Sequence, residues 1–405
     1  MHQLNALLGM PQHRFASIHV VGTNGKSSVT RMAAALLEAH GIRTGACVSP
    51  HSSRWSERVL IGGEEIGAAE FAAAVERAAQ AAETLNRKLG EGEAVTQFEL
   101  ATAATFVALA AARVQAAAIE AGLGGRLDAT NTIPSRVAVL TSVGLDHTQW
   151  LGGTEEEIAA EKLAVLRDHS TLVLGRVSPA VAGLAERAAA EHGARLIVAP
   201  EDPGPDVELR AAGRFQRRNF ALACAATETF LGRGLNPDRV ATVAASVEVP
   251  GRLERVAGEP PAFLDAAHNP DGAAALAEAL PEIAAGRPVV ACLAVLADKD
   301  AAGIVAALMQ VVDRAVCTEI PSAPSNLPAD GSRTRDPDPS AARRASVLAT
   351  DLALVCNEAG VGAEAEPDFA GAVERARELA AEADGILVVA GSHYALAPAR
   401  AVLEN

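Results

Sequence analysis

The run Val20-Val21-Gly22-Thr23-Asn24-Gly25-Lys26-Ser27-Ser28 sets two glycines, a lysine and two serine hydroxyls behind a pair of valines. Glycine lets the backbone come close to an anion, Lys26 brings positive charge to the β/γ-phosphates of a nucleotide, and Ser27 or Ser28 can approach a Mg²⁺. Val20 stands where the general Walker A consensus has a glycine. The flanks nevertheless give the context such a loop needs. Ser17-Ile18-His19-Val20-Val21 reads as a covered strand, and Val29, Met32, Ala33, Leu36 and Leu37 recur at helical spacing. A helix opening there aims its first N–H groups at the loop, as phosphate binding requires.

Three further strand ends carry side chains able to bind a metal or a polar group: Ser49 before Pro50-His51, Glu120 before a glycine-rich turn, and Asp146-His147. In an open α/β sheet, ligands gather at the carboxyl ends of strands. Hydroxyl and carboxylate oxygens suit Mg²⁺, which keeps waters and binds through few carboxylates plus substrate phosphates. Each residue also has a plain structural use, Glu120 as a cap, His147 as a loop histidine and Ser49 as a turn residue; the point is their combination. Lys162 sits on a charged helix, and chemistry from its amine requires desolvation or cationic neighbours. Asp265-Ala266-Ala267-His268-Asn269-Pro270 joins a strand to a helix beginning at Pro270, either as a simple N-cap at Asn269 or as polar groups facing a cleft between domains.

Alternating β and α segments on both sides of residue 248 predict an α/β protein of two domains with mainly parallel sheets. The first, 1–247, is of P-loop type, and the smaller second, 248–405, is Rossmann-like. Residues 1 to about 16 show no clear element. Pro50 to Gly63 reads as a functional loop and Pro321 to Arg344, rich in Pro, Asp, Ser and Arg, as a mobile surface loop. No internal repeat is visible.

The 405-residue chain is long enough for two substantial cores. Its formal charge of −15 argues against nucleic acid or an anionic membrane as a partner. The longest apolar region, Leu100 to Leu123, is interrupted by Arg113 and Glu120, so no membrane span is expected. No signal peptide is visible, and the five cysteines are scattered without a Cys-x-x-Cys pair, which predicts reduced thiols and a cytoplasmic location.

Taken in order, Gly22-Thr23-Asn24-Gly25-Lys26, Ser49-Pro50-His51, Glu57-Arg58, the run from Glu120 to Asn131, Asp146-His147-Thr148-Gln149-Trp150-Leu151-Gly152, Glu161-Lys162, Pro250-Gly251-Arg252 and Asp265 to Pro270 resemble the folylpolyglutamate synthase/dihydrofolate synthase family of the Mur ligase superfamily. The resemblance implies that 1–247 is an ATP-binding central domain with a folate or pteroate site, and 248–405 a glutamate-ligase domain. It implies ATP as co-substrate, held by Gly22, Thr23, Asn24, Gly25, Lys26, Ser27 and Ser28, with Asn219, Arg252, Asp265 and His268 meeting the nucleotide from the far side of a cleft. Ser49, Glu120, His147 and a carbamylated Lys162 would serve two Mg²⁺ sites. Lys26, Lys162 and His147 would be the catalytic residues. Phe98, Asp128 and Ala129 would contact the pterin-bearing substrate, and Lys299 and Ser392 would lie near the incoming glutamate. The family resemblance further suggests a monomer whose partners are small molecules: folate or dihydropteroate, L-glutamate and ATP.

Two departures stand out. The family has Gly then Ser or Thr after the loop lysine, whereas Ser27-Ser28 follows here, leaving open which hydroxyl approaches Mg²⁺. The usual Glu-Lys-Ala-Gly-Ile is Glu161-Lys162-Leu163-Ala164-Val165. The expected reaction is attack of a substrate carboxylate on the γ-phosphate, then attack of the glutamate amine on the acyl phosphate. Alternatives are another Mur-type amino-acid ligase, a P-loop kinase with a different carboxylate or hydroxyl substrate, and a nucleotide-binding protein without activity.

Overall fold

The computed structural model describes residues 1–51, 53–90, 92–321 and 345–404. The chain divides into two compact units, Met1–Arg210 with Gln216–Glu248, and Ala211–Phe215 with Val249–Asn405. The stretch expected as a mobile loop, from residue 322 to 344, lies outside the described residues.

In the first unit the elements run α1 (His2–Leu7), β1 (Ala16–Val21), α2 (Lys26–Ala39), β2 (Thr44–Cys47), β3 (Val59–Ile61), β4 (Glu64–Glu65), α3 (Ala68–Asn86), α4 (Gln97–Ala111), β5 (Ala116–Glu120), β6 (Val137–Leu140), α5 (Thr148–Leu151), α6 (Glu155–Leu163), β7 (Thr171–Leu174), α7 (Pro179–Glu191), β8 (Arg195–Val198), α8 (Arg214–Leu231) and α9 (Pro237–Ser246). The sheet order is β4-β3-β2-β5-β1-β6-β7-β8, and every pairing is parallel except β2–β3 and β3–β4. β1 lies between β5 and β6, and Val20 is in register with Glu120 while Val21 faces Leu140. From β1 the chain first builds to one side through β2 and later to the other through β6, so the loop after β1 sits at the point where the strand order reverses, the usual ligand crevice.

The N-terminus forms α1, with Leu4 buried against the core, where the sequence had suggested no element. The expected loop Pro50–Gly63 contains a 3-10 turn, Trp55–Arg58, and the strand β3, which folds back on β4 through Gly62 and Gly63, both with positive φ. Two successive residues at positive φ make the tight turn that joins antiparallel strands.

The second unit contains β9 (Glu254–Val256), β10 (Ala262–Leu264), α10 (Pro270–Ala284), β11 (Val289–Leu293), α11 (Ala301–Leu308), β12 (Arg314–Cys317), α12 (Ala349–Glu358), β13 (Gly362–Ala365), α13 (Phe369–Glu382), β14 (Ile386–Ala390) and α14 (Leu396–Leu403). Its sheet order is β13-β12-β11-β14-β10-β9, with only β9 antiparallel. Small and β-branched side chains pack both faces, with Leu276, Leu280 and Ile304 on one side and Phe369, Val373 and Leu379 on the other. No helix among the described residues is long and apolar enough to cross a membrane.

Candidate functional site

The loop after β1 is clamped to the end of β6 by the protein's own hydrogen bonds. Thr23 N–H donates to Ser142 O at 2.8 Å, Asn24 N–H to Ser142 Oγ at 3.0 Å, and Thr141 Oγ1 to Asn24 O at 2.6 Å. Thr141 and Ser142 escaped the sequence reading; two hydroxyls directly after an apolar strand were the available signal. A methyl group on Gly22 would lie 1.8 Å from Thr141 Oγ1, so the close approach permits no side chain there. Gly25 caps α2 at φ +83°, and a methyl group on it would come 2.6 Å from Asn219 Oδ1. Asn219 therefore belongs to the first unit, against the phosphate loop, whereas Arg252, Asp265 and His268, expected together with it, belong to the second unit.

Two lysines converge on one carbonyl. Lys26 Nζ donates to Gly22 O at 3.1 Å and Thr23 O at 3.0 Å, and Lys162 Nζ donates to Gly22 O at 2.8 Å. Lys162 comes from α6 and is only 3% exposed. Burial, reinforced by the Lys26 charge and opposed by Asp146 and Asp128, pulls its amine down to about 7. An amine in that range is partly neutral at physiological pH, the state a nucleophilic nitrogen needs.

Ser27 settles against the oxygen set. Its Oγ lies 2.9 Å from Glu120 Oε1 and 3.0 Å from Ser49 O, while Ser49 N–H donates to Glu120 Oε2 at 2.8 Å. Ser28 Oγ instead is buried without a hydrogen-bond partner among the described residues. His147 stands at φ +51° ahead of α5, its N–H on Asp146 Oδ1 at 2.9 Å and its Nε2 3.9 Å from the same oxygen. Among the described residues, no three His, Cys, Asp or Glu side chains form a preformed metal cage.

The turn after β5 is a rigid piece. Asp128, 8% exposed, accepts Leu123 N–H on Oδ2 at 2.8 Å and Thr130 N–H on Oδ1 at 2.9 Å. Burial raises its carboxyl group above the usual range, and these hydrogen bonds oppose the shift. A methyl group on Gly125 would sit 2.6 Å from Glu161 O and 2.8 Å from Lys162 O, so the turn lies flush on the backbone of α6. Arg126 adds N–H to Glu161 O at 3.0 Å and Nε to Glu161 Oε1 at 2.9 Å. Phe98, in the first turn of α4, covers Gly122, where a methyl group would meet its ring at 2.3 Å. Ala129 is buried.

In the second unit, Asp265 is buried at the end of β10 and accepts Leu253 N–H and Ala267 N–H, each at 2.8 Å. Burial pushes its carboxyl group up, against the Arg252 charge and those two N–H groups. Its carboxylate thus shapes the turn that carries Arg252. His268 Nδ1 lies 2.8 Å from Ala266 O. Ser392, 2% exposed, follows β14 and accepts Tyr394 N–H at 3.2 Å, and Lys299 lies in the turn before α11, which Asp300 caps. Asp265, Ser392 and Lys299 therefore follow the carboxyl ends of the neighbouring strands β10, β14 and β11.

Residues 20–227 match the Mur ligase middle domain, and residues 251–393 match the Mur ligase, glutamate ligase domain. A dihydrofolate synthase/folylpolyglutamate synthase of Mycobacterium tuberculosis is 38% identical over 353 residues, covering 77% of this chain and 72% of its own length. The structure of Mycobacterium tuberculosis folylpolyglutamate synthase complexed with ADP superimposes with a TM-score of 0.88 at 33% identity, over 100% of this chain and 94% of that one. The bifunctional folylpolyglutamate synthase/dihydrofolate synthase of Yersinia pestis, complexed with AMPPNP and a Mn ion, gives 0.79 at 29% identity over 100% and 92%. Both Mur ligase domains, in this order and on this fold, show that the chain belongs to the Mur ligase family, among its folylpolyglutamate synthase/dihydrofolate synthase ligases.

Proposed function

We propose that the protein uses ATP to join L-glutamate to dihydropteroate, to folates, or to both, releasing ADP and phosphate. The observation that carries this reading is the convergence of Lys26 and Lys162 on Gly22 O beside the Ser27–Glu120 pair. The arrangement brings cations and hard oxygens to one phosphate loop, with no protein nucleophile required.

The donor set fits a divalent metal. Ser27 Oγ and the Glu120 carboxylate lie within hydrogen-bond distance at the loop, and Mg²⁺ takes few protein oxygens where phosphates and water complete its shell. Ser49, Glu120 and Ser27 would hold one ion; His147 and Lys162, the latter as a carbamate, would hold a second. A metal there supplies charge neutralisation on the phosphates. The chain's own part is positional: the loop amides and Lys26 orient the γ-phosphate toward the substrate carboxylate, and Lys162, as its carbamate, would help to hold the second ion beside them. Gly22, Thr23, Asn24, Gly25, Ser28 and Asn219 shape that loop for ATP. Phe98, Asp128 and Ala129 would contact the pterin-bearing substrate. Arg252, Asp265 and His268 would serve the nucleotide, and Lys299 and Ser392 the incoming glutamate. Buried or partly buried thiols without disulfides agree with a cytoplasmic protein, which we take to act as a monomer.

ADP release should require glutamate together with a pteroate or folate; equal turnover with neither present overturns the reading. Incorporation of labelled glutamate into dihydropteroate and into tetrahydrofolate then separates the two activities. A second expected result concerns Gly122→Ala. Phe98 must give way to the new methyl group, so KM for the pterin-bearing substrate should rise several-fold, with KM for ATP within about twofold of the wild type. An equal rise in both would place Phe98 outside the substrate surface.

A further inference from the structure

Position 19 lies inside β1, three residues before Gly22, where a β-branched apolar side chain would serve the sheet. It holds a histidine that is wholly buried, at 0% exposure. Burial, with a smaller contribution from Arg167, pushes the imidazole down to about 3, so it is neutral under working conditions. Its Nε2 lies 2.8 Å from Thr130 Oγ1, and Thr130 Oγ1 lies 2.5 Å from Asp128 Oδ1.

The direction of this chain follows from counting protons. Asp128 already receives N–H groups on both carboxylate oxygens, from Leu123 and Thr130. An ionised Asp128 can only accept, so the single hydroxyl proton of Thr130 goes to Asp128 Oδ1 and Thr130 Oγ1 accepts from His19. This pattern assigns the histidine the Nε2–H tautomer. Its Nδ1 is left as a bare lone pair, without a partner among the described residues. A buried ring nitrogen without a partner costs stability, and such a group asks for a reason. Among the described residues, the one side-chain hydrogen bond it makes leads to the carboxylate that closes the Gly122–Asp128 turn, the turn that Phe98 covers and that rests on the backbone of Lys162.

We propose that His19 is a positioning residue for the pterin-bearing substrate: through Thr130 it holds Asp128 against the Leu123 amide and so fixes the turn under Phe98. The inference rests on the reading that Phe98, Asp128 and Ala129 face that substrate. It makes β1 serve both reactants, with its end feeding the phosphate loop and its interior setting the neighbouring turn.

The test uses the full chain with His19→Leu, His19→Gln, Thr130→Val, Thr130→Ser and the double variant His19→Leu/Thr130→Val. KM values are measured for ATP and for dihydropteroate or tetrahydrofolate, whichever the wild type turns over. His19→Leu and Thr130→Val should each raise KM for the pterin-bearing substrate about tenfold and leave KM for ATP within about twofold. Thr130→Ser keeps the hydroxyl and His19→Gln keeps an N–H donor, so both should return to within about threefold of the wild type. The double variant should be no worse than either single one, because both break the same chain. Equal rises in both KM values, or additive losses in the double variant, overturn the proposal in favour of general weakening of β1. If His19→Leu does not fold, the Thr130→Val and Thr130→Ser pair decides alone. Wild-type turnover with KM unmoved in Thr130→Val overturns the relay only; a wild type that ligates glutamate to neither substrate overturns the functional reading and the relay with it.

Discussion

Lys162→Ala should lower the rate of glutamate-dependent ADP release by about 10³-fold, the upper range for removing one preorganised charge from a phosphoryl-transfer site. The side chain is buried, shares Gly22 O with Lys26, and has its amine at about 7. Below that pH it is an ammonium; above it, a free amine able to take up CO₂. Activity that depends on added bicarbonate should therefore rise as pH increases through about 7. Lys162→Arg should not restore the rate, since a guanidinium stays protonated. Acetate should partly rescue Lys162→Ala if a carboxylate-like group is what the site lacks. An unchanged rate in Lys162→Ala would reduce the residue to a buried hydrogen-bond donor. The same group also gives a stability signature. Its folded value lies below the ordinary 10.5, so the unfolded chain binds the extra proton between about 7 and 10.5. The cost of burying the charge is fully present below about 7 and fades as pH rises toward 10.5. Wild type should thus gain on Lys162→Met in thermal midpoint between pH 7 and 10.

The second large effect separates two adjacent hydroxyls. Ser27→Ala should cost about 10²-fold in kcat, because it removes the oxygen that lies against Glu120 and leaves that buried carboxylate short of a partner. Ser27→Thr retains the hydroxyl and should stay within a few-fold of the wild type. Ser28→Ala deletes a buried hydroxyl with no partner among the described residues, and should cost much less in kcat than Ser27→Ala, with the thermal midpoint level or slightly raised. Equal losses at both positions would mean that the helix start, and not one oxygen, is what the chemistry needs. A reversed order would assign the metal to Ser28.

The sequence carried the phosphate loop openly because its glycines and Lys26 lie within one short stretch, and β1, β5 and β6 because β-branched or small apolar runs end in polar turns. It hid what depends on distant partners. His19 reads as one polar residue in a strand until Thr130 arrives beside it from 111 residues away. The resemblance names Asn219 for the nucleotide, but its place against Gly25 comes only with the fold. The β3–β4 hairpin was legible in principle, since Val59-Leu60-Ile61 followed by Gly62-Gly63 is a strand and tight-turn pattern obscured by the polar residues ahead of it. β9 and β13 are short and mixed, Glu-Arg-Val and Gly-Ala-Glu-Ala, and owe their strand form to edge positions on an existing sheet. α1 offers too few apolar positions for periodicity and forms because Leu4 has a core to enter.

Gly125, pressed on the main chain of Glu161 and Lys162, has a consequence for inheritance. The glycine-rich turn and α6 are far apart in sequence yet share one surface with no room for a side chain between them. Neither can drift alone: a bulkier residue in the turn displaces the lysine, and a changed path of the helix opens a gap beneath the turn. Exchanges between relatives should therefore succeed when the two segments travel together and fail when they are parted.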